Sequence, residues 1–254
     1  LQQKVADGLM NATKKLLSLP LIAGLLLLCV EASSFAAVKS LDEDDDYLDA
    51  HAQVVADPIE PWNRAMFKFN DAMLDYVARP AYKGYAYVTP QFVRTGIKNF
   101  FHNLAFPVRF VNNLLQGRPK AAGVEMSRFI LNTTAGLGGF FDVAKDKEPV
   151  VPVEDEDMGQ TFGVWGAGEG FYIVWPLLGP STLRDSAGMV GDYFLDPVTY
   201  IRPWELSLGI DAGRTFNELD DILDLYDDLK RAAIEPYSSV RDAYVQYRRA
   251  KITK

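Results

Sequence analysis

The first strong pattern in the chain lies between Asp57 and Val77, where apolar side chains recur every three to four positions. This spacing predicts an amphipathic helix with one broad apolar face, which suits either a protein core or a lipid surface. The order of Asp57, Pro58 and Glu60 predicts that the helix begins at Pro58, with Asp57 and Glu60 forming a capping box. The apolar face consists of aromatic and methionine side chains: Trp62, Met66, Phe69, Met73 and Tyr76.

The same periodicity predicts three shorter helices before residue 132, each set off by proline or glycine. Arg79-Pro80 is expected to end the first helix, and Thr89-Pro90 to begin the second. Pro107 begins the third, which Gly117 ends, and the fourth begins near Pro119. Short breaks predict neighbours that pack antiparallel or at steep angles. The apolar residues expected to be buried are Val93, Ile97, Phe100 and Leu104, then Val108, Val111, Leu114 and Leu115, then Val124, Phe129, Ile130 and Leu131.

The centre of the chain contains two segments rich in glycine and aromatic residues, at positions 136–141 and 163–171. The second segment has the glycine spacing of a phosphate-binding loop, but no strand precedes it and Pro176 interrupts any helix that would follow. We therefore interpret both segments as tight turns at which backbones approach closely. Gly163 begins the second segment. The glycines that we single out in the two segments are Gly136, Gly138, Gly139, Gly166, Gly168 and Gly170.

A further helix is predicted to begin after Thr182, whose side chain can cap it. Asp185 and Asp192 are two turns apart and therefore lie on one face of this helix. The polar stripe that they form is either an ordinary solvated face or the wet side of a channel through an otherwise apolar body.

The C-terminal part predicts two amphipathic helices, at residues 204–234 and 237–252. The first is acidic and the second basic, so the two are expected to pair with each other. The chain shows no internal repeat and no domain-scale linker after residue 57. Residues 57–254 are therefore predicted to form a single α-helical domain.

Charge and composition exclude several classes of protein. The formal net charge is -8 and the isoelectric point is about 4.9, which argues against nucleic-acid binding and against recruitment to anionic lipid by charge alone. With Cys29 as the one cysteine and His51 and His102 as the two histidines, neither an internal disulfide nor a common zinc site can form. If the protein meets a membrane, apolar surface must provide most of the affinity.

The shortage of histidine and cysteine also argues against catalysis. A nucleophilic hydrolase needs a base beside its nucleophile, and His102 is the one histidine in the predicted domain. The chain contains no G-x-S-x-G elbow. The carboxylates of Glu154 to Asp157 adjoin in sequence, which is typical of a charged loop or helix start and not of an opposed acid and base. We therefore predict that the protein is not an enzyme, and we expect no cofactor or metal.

The N-terminal part has the features of an export signal. Met10, a basic pair, the apolar run 16–30 and a small-residue site before Ala37 predict an upstream extension and signal peptide over residues 1–36. Cys29 raises the alternative of a lipid anchor, but leucines precede it, so we expect it to be removed with the leader. Residues 37–56 include five consecutive acidic residues. They lack the glycine and the final glutamate of a calcium loop, so we predict an acidic flexible tether.

Several blocks of the chain resemble the MlaA (VacJ) family, Gram-negative outer-membrane proteins of phospholipid transport. The first block is DPIEPWNRAMFKFND. Further blocks follow in order: ARPAYKGYAYVTPQFVRTGIKNFFHNL, NNLLQGRPKAA, RFILNTTAGLGGFFDVA, FGVWGAGEGFYIVWPLLGPSTLRD and DPVTYI. The resemblance covers roughly residues 57–201. The residues that match the family signature in the first block are Asp57, Pro58, Glu60, Trp62, Asn63, Arg64, Phe69 and Asn70.

The resemblance implies a mostly α-helical ring in the inner leaflet of the outer membrane, facing the periplasm, with an amphipathic channel through it. It implies a protein that takes misplaced phospholipids from the outer leaflet and passes them to a soluble periplasmic carrier of the MlaC type, while bound to a trimeric porin. On this basis we expect Arg184, Asp185 and Asp192 to line the channel. The glycine segments are then expected to form its rim or a gating hairpin, although they and the signature residues could equally serve only to specify the fold.

Three other functions compete with transport. A soluble periplasmic lipid carrier would hide its apolar face in a pocket, a porin-binding scaffold would carry no lipid, and a lipid hydrolase would need catalytic groups. The family resemblance disfavours the first, and the shortage of catalytic groups disfavours the third. Transport and scaffolding remain to be separated by experiment.

Overall fold

The structure, a computed structural model, describes residues 55–253, apart from the side chains of residues 224 and 225. This part of the chain is mostly α-helical, as predicted, and a short antiparallel hairpin interrupts the helices. The predicted signal peptide, Cys29 and most of the acidic tether lie outside the described residues. The α-helices are α1 (Glu60–Met73), α2 (Arg79–Val88), α3 (Gln91–Leu104), α4 (Phe106–Leu115), α5 (Pro119–Thr134), α6 (Met158–Val164), α7 (Leu183–Leu195), α8 (Trp204–Asn217), α9 (Asp220–Ala232) and α10 (Pro236–Ile252).

The folded part begins before residue 57. Val55 is buried in an apolar cluster, and Ala56 forms a parallel bridge with Phe171. These two residues, predicted to belong to the tether, are therefore part of the fold.

The predicted capping box at the start of α1 is wrong. The helix begins at Glu60, and its N-cap residue, Ile59, makes no side-chain cap bond. The carboxylate of Asp57 instead accepts bonds from Asn63 Nδ2, at 2.7 Å, and from the Tyr237 hydroxyl. Glu60 pairs with Arg64 one turn later. Neither carboxylate caps the helix, because each accepts bonds from other side chains instead.

The predicted break at Arg79-Pro80 is also wrong, because a π-helical segment at Leu74–Ala78 carries α1 into α2. In this segment the Arg79 N–H bonds to the carbonyl of Leu74, five residues back. Pro80 has no N–H to donate, but it falls in the first turn of α2, where none is needed. The chain therefore stays helical from Glu60 to Val88.

Helices α4 and α5 bury their polar faces, which the apolar periodicity had predicted to be exposed. On α4, Leu114 and Leu115 are exposed, and on α5 Ile130 is exposed, contrary to prediction. Periodicity locates a face but does not reveal whether protein or another medium covers it. The buried polar residues of the two helices are Arg109, Asn112, Asn113, Glu125, Arg128 and Asn132.

The hairpin consists of β1 (Tyr172–Trp175) and β2 (Gly179–Thr182), with Tyr172 opposite Thr182 and Trp175 opposite Gly179. It lies beside α1 and α10, and it leads directly into α7. A 3₁₀ turn, Pro197–Tyr200, follows α7.

The predicted helix over residues 204–234 is two helices, α8 and α9, which separate at residues 218 and 219. The expected pairing of the last two amphipathic segments holds for their apolar faces, since Ile222 and Tyr226 of α9 share a buried cluster with Val240 of α10. Along residues 55–253, no helix combines the length and the apolar character that a bilayer crossing requires.

Candidate functional site

Two asparagines of the first block fasten α1 to the hairpin. Asn63 Nδ2 donates to the Tyr172 carbonyl at 2.9 Å, and Asn63 Oδ1 accepts from the Val174 N–H at 2.7 Å. Two turns later, Asn70 repeats this pattern with the Trp175 carbonyl and the Leu177 N–H. Each side-chain amide thus satisfies a backbone donor and a backbone acceptor that the two-stranded sheet leaves free. This arrangement gives both residues a role in specifying the fold.

The other matched residues of the first block lie nearer the surface. Trp62 and Phe69 are 49% and 42% exposed, and Pro58 is exposed. Arg64 bonds to Glu60 and, at 2.9 Å, to Glu235 before α10. Helix α1 therefore buries its amides and presents Trp62 and Phe69 outward, while Phe67 packs against the core.

The predicted channel residues Arg184 and Asp185 lie at the start of α7, where Thr182 caps the helix as predicted. They are 8% and 5% exposed. Asp185 Oδ2 accepts from the Tyr244 hydroxyl at 2.9 Å, and Asp185 Oδ1 accepts from Arg248 Nη2 at 2.9 Å and from Arg184 Nε at 3.0 Å. In this arrangement side chains from α10 cover Asp185.

Arg248 joins Asp185 to a second carboxylate, Asp157, whose side chain is 33% exposed. Its Nη1 and Nη2 atoms bond to Asp157, at 2.5 and 2.9 Å, while Nε and Nη2 bond to Asp185. Asp157 also caps α6 through the Gln160 N–H. The sequence predicted neither Arg248 nor Asp157 as a site residue. The basic face of α10 was a signal, but its partners could not be identified from spacing.

The third predicted residue, Asp192, faces α6 and α4. Its carboxylate accepts two bonds from the Met158 N–H, at 3.0 and 3.1 Å, and one from Asn112 Nδ2 at 3.0 Å. Asn112 also accepts from the Thr161 hydroxyl at 2.7 Å. Asp185 and Asp192 therefore share one face of α7, as predicted, and both point toward α6.

The pKa values of Asp157, Asp185 and Asp192 differ because the environments of the three carboxylates differ. Burial raises the pKa of Asp192 to about 7, and the charge of Asp157 acts in the same direction. Burial also favours the neutral form of Asp157, but the charge and bonds of Arg248 outweigh it and lower that pKa to about 2. For Asp185 too, burial is outweighed by Arg248 and Arg184, so the pKa is lowered.

Close packing of α6 against α7 brings these groups together. A Cβ atom on Gly188 would lie 2.3 Å from the backbone nitrogen of Gly159, and one on Gly159 would lie 2.7 Å from Asp185 Oδ1. Glycine at both positions therefore permits the contact. We define the polar cluster as Asn112, Asp157, Arg184, Asp185, Asp192, Tyr244 and Arg248. Among residues 55–253, no group of three or more histidine, cysteine or carboxylate side chains has the arrangement of a metal site.

The glycine segments differ in how tightly they are held. Gly139, with φ of +100°, lies against Asn103, where a Cβ atom would approach to 2.5 Å. At Gly136 a Cβ atom would come within 2.1 Å of the Phe141 carbonyl oxygen. The close backbone approach predicted for the first segment is thus present, and these contacts fasten it to α3 and α5. In the second segment, Gly166 and Gly168 are exposed and have open space around them.

Large apolar side chains are exposed in several groups along the chain. They occur on the corner between α2 and α3, at the glycine turn after α5, and along α7 into α8. Exposed apolar residues that are grouped in this way, and not scattered singly, indicate contact with a partner or a membrane. The most exposed of these residues are Tyr76, Tyr87, Val88, Phe92, Leu137, Val190, Tyr193, Phe194, Tyr200, Trp204 and Leu206.

Comparison with known proteins gives consistent matches. The chain is 38% identical over 193 residues to the intermembrane phospholipid transport system lipoprotein MlaA of Escherichia coli (strain K12), covering 75% of this chain and 76% of that protein. It is 35% identical over 205 residues to the protein of the same name from Haemophilus influenzae, covering 77% and 79%. These relatives are named as transport lipoproteins, which agrees with the prediction that the chain is not an enzyme.

A solved structure described as "Structural basis for maintenance of bacterial outer membrane lipid asymmetry" matches with a TM-score of 0.69 and 35% identity, over 78% of this chain and 99% of that chain. The family model described as "MlaA lipoprotein" matches residues 55–251. Because this match covers most of the sequence, the chain belongs to the MlaA lipoprotein family.

Proposed function

We propose that this protein is the outer-membrane component of a phospholipid transport system. It removes misplaced phospholipids from the outer leaflet and passes them to a soluble periplasmic carrier of the MlaC type, so that the lipid asymmetry of the membrane is maintained. The names of its relatives and the subject of the matched structure support this function.

The observation that carries the proposal is the reversed polarity of the helices. Helix α1 buries Asn63 and Asn70 and exposes Trp62 and Phe69. Helix α7 likewise buries Arg184 and Asp185 while Val190, Tyr193 and Phe194 face outward. A water-soluble carrier would turn these apolar faces inward, since exposed apolar area costs roughly 25 cal/mol per Å² in water. Acyl chains solvate such faces without this cost.

The same polarity supports an arrangement of the helices as a ring within one leaflet, lying in the membrane and not crossing it. The polar cluster then forms part of the channel wall. We propose that Asp192 lies toward the lipid path, and that Arg184 and Asp185 hold α7 against α10 when the wall is closed. A trimeric porin would contact part of the outer face, and the rigid glycine turn after α5 would form part of the rim.

The test is a strain that lacks this gene, complemented with the wild-type chain or with an Asp185→Asn/Asp192→Asn variant. We expect phospholipid accessible to a membrane-impermeant label to rise in the deletion strain and to return to its normal level only with the wild-type chain. Equal protein levels must be verified by immunoblotting. Normal lipid asymmetry in the deletion strain would refute the transport function, and would favour a scaffold that binds porin without carrying lipid.

A further inference from the structure

Four consecutive carboxylates, Glu154 to Asp157, form the segment that enters α6, and each one pairs with a different basic side chain. We refer to them as the acidic run. Glu154 bonds to Lys251 at 2.9 Å, Asp155 lies 3.1 Å from His102 Nε2 and 3.3 Å from Arg109 Nε, Glu156 bonds to Arg118 at 2.7 Å, and Asp157 bonds to Arg248 at 2.5 Å.

The partners of the acidic run lie on two separate parts of the fold. Lys251 and Arg248 belong to α10, near the C-terminus. His102 and Arg109 belong to α3 and α4, and Arg118 lies in the turn before α5. The first and last carboxylates of the run therefore hold α10, while the middle two hold the α3–α5 region. Because the four groups are adjacent in sequence, the run acts as one short tie between these two parts.

The strength of the tie varies along its length. The side chains of Glu154 and Asp155 are 54% and 63% exposed, so water and salt screen their pairs. The side chain of Glu156 is 2% exposed, and Asp157 forms a two-bond fork with Arg248. Of the two contacts between the run and α10, the Glu154–Lys251 pair is therefore the weaker, so the run can open from its Glu154 end without loss of the fold.

Release of the tie has a defined consequence at the polar cluster. Arg248 of α10 bonds both to the acidic run and to Asp185. One turn before it Tyr244 bonds to Asp185, and one turn after it Lys251 bonds to the run. Movement of this end of α10 away from α6 would therefore uncover Asp185, the residue to which Arg184 is bonded.

We propose that the acidic run is an electrostatic latch that holds α10 closed over the polar cluster, and that its release opens the lipid path at Arg184 and Asp185. This inference rests on the proposed transport function. It assigns to the run a gating role in that transport, and it makes Lys251 and Arg248 the positioning residues of the closed state.

The experiment measures amide hydrogen exchange of α10 in the full mature chain, embedded in phosphatidylethanolamine and phosphatidylglycerol nanodiscs. The test variant is Glu154→Gln/Asp157→Asn. The control is Asp146→Asn/Glu148→Gln, which removes the same charge from two exposed residues in the preceding loop, for which the described part of the chain shows no ion pair. We expect exchange over residues 244–252 to rise about tenfold in the test variant and to stay unchanged in the control.

A second variant separates latch opening from general damage. Glu154→Lys combined with Lys251→Glu exchanges the charges of the outer pair, and we expect it to restore slow exchange relative to Lys251→Glu alone. Exchange over α10 that is equal in the test and control variants would overturn the latch. If amide exchange of α10 is faster in the test variant but the amount of cell-surface phospholipid stays at the wild-type level, the gating role is overturned. A failure of the proposed transport function would give a different result, because the deletion strain would then keep normal lipid asymmetry in its outer membrane.

Discussion

Asn63 Nδ2 donates a hydrogen bond of 2.9 Å to the carbonyl of Tyr172, although 109 positions separate the two residues. Asn63 is fully buried, and its second bond, to the Val174 N–H, completes the pairing of its amide with β1. The first helix is thus joined to the hairpin by a polar contact where a soluble helical protein would normally use apolar side chains.

This contact predicts a large effect of Asn63→Ala. The substitution leaves the Tyr172 carbonyl and the Val174 N–H without their partner, and each buried orphan costs about 1–3 kcal/mol. We expect the free energy of unfolding, measured by denaturant titration in detergent, to fall by about 2–4 kcal/mol. Asn63→Asp should also be destabilising, because a carboxylate cannot donate to Tyr172. The neighbouring Trp62→Ala serves as the control, and a loss as large as that of Asn63→Ala would contradict this explanation.

Arg248 provides a second prediction. Arg248→Met keeps most of the side-chain volume but leaves Asp157 and Asp185 without their shared cation, and removing one partner of a buried pair costs about 3–5 kcal/mol. Arg248→Lys should recover only part of this loss, since an ammonium cannot form the two-bond fork. The control is Arg231→Met, whose pair with Asp228 is exposed and contributes at most about 1 kcal/mol. Similar thermal stability of both methionine variants would show that the polar cluster does not stabilise the fold.

Asp192 predicts a dependence of stability on pH. Its pKa in the folded protein, about 7, lies above the ordinary value of 3.8, so the folded state binds this proton more tightly than the unfolded chain does. The resulting stabilisation is complete below about pH 4 and is lost as the pH rises through about 7. Between about pH 5 and about pH 8, the wild type should lose about 2 kcal/mol that Asp192→Asn does not lose.

The comparison between wild type and Asp192→Asn isolates this group. Burial raises the pKa of Asp211, Glu156 and Glu218 as well, but these residues are present in both proteins. Asp157 and Asp185, whose pKa values are lowered, lose their contribution only at more acidic pH. Parallel stability curves for the two proteins across this range would rule out the titration of Asp192.

The exposed corner between α2 and α3 predicts an effect on membrane retention. Tyr87 and Phe92 are 92% and 69% exposed, so Tyr87→Asp/Phe92→Asp should change the stability of the detergent-solubilised protein by no more than about 0.5 kcal/mol. In a Cys29→Ala background, where no acyl anchor can form, we expect less of the variant to remain in membranes after a carbonate wash. Gln91→Asp/Thr95→Asp adds the same charge at neighbouring exposed polar positions and should be retained like the parent chain.

The sequence predicted helix positions better than it predicted their environment. Proline and glycine near Pro107, Gly117 and Pro119 marked the limits of α4 and α5 correctly, because their backbone restrictions are local. Leu114 and Ile130 were predicted to be buried but are exposed. Periodicity locates the apolar face of a helix but does not reveal whether protein or another medium covers it.

The candidate site was predicted in part for a similar reason. Spacing placed Asp185 and Asp192 on one face of α7, which depends only on helical geometry. The partners of that face, Arg248 and Asp157, lie on distant parts of the chain, and no local rule selects one arginine of α10 over its neighbours. The capping box failed because Tyr237, far along the chain, offered Asp57 a competing donor.

The proposed function requires that an apolar outer surface embeds this protein in the outer membrane. Membrane fractionation of the mature protein, with high-salt and carbonate washes followed by lipid analysis of the purified material, tests this most directly. We predict that the protein stays with the outer membrane and purifies with bound glycerophospholipid. Release by the washes as a lipid-free soluble monomer would contradict the claim.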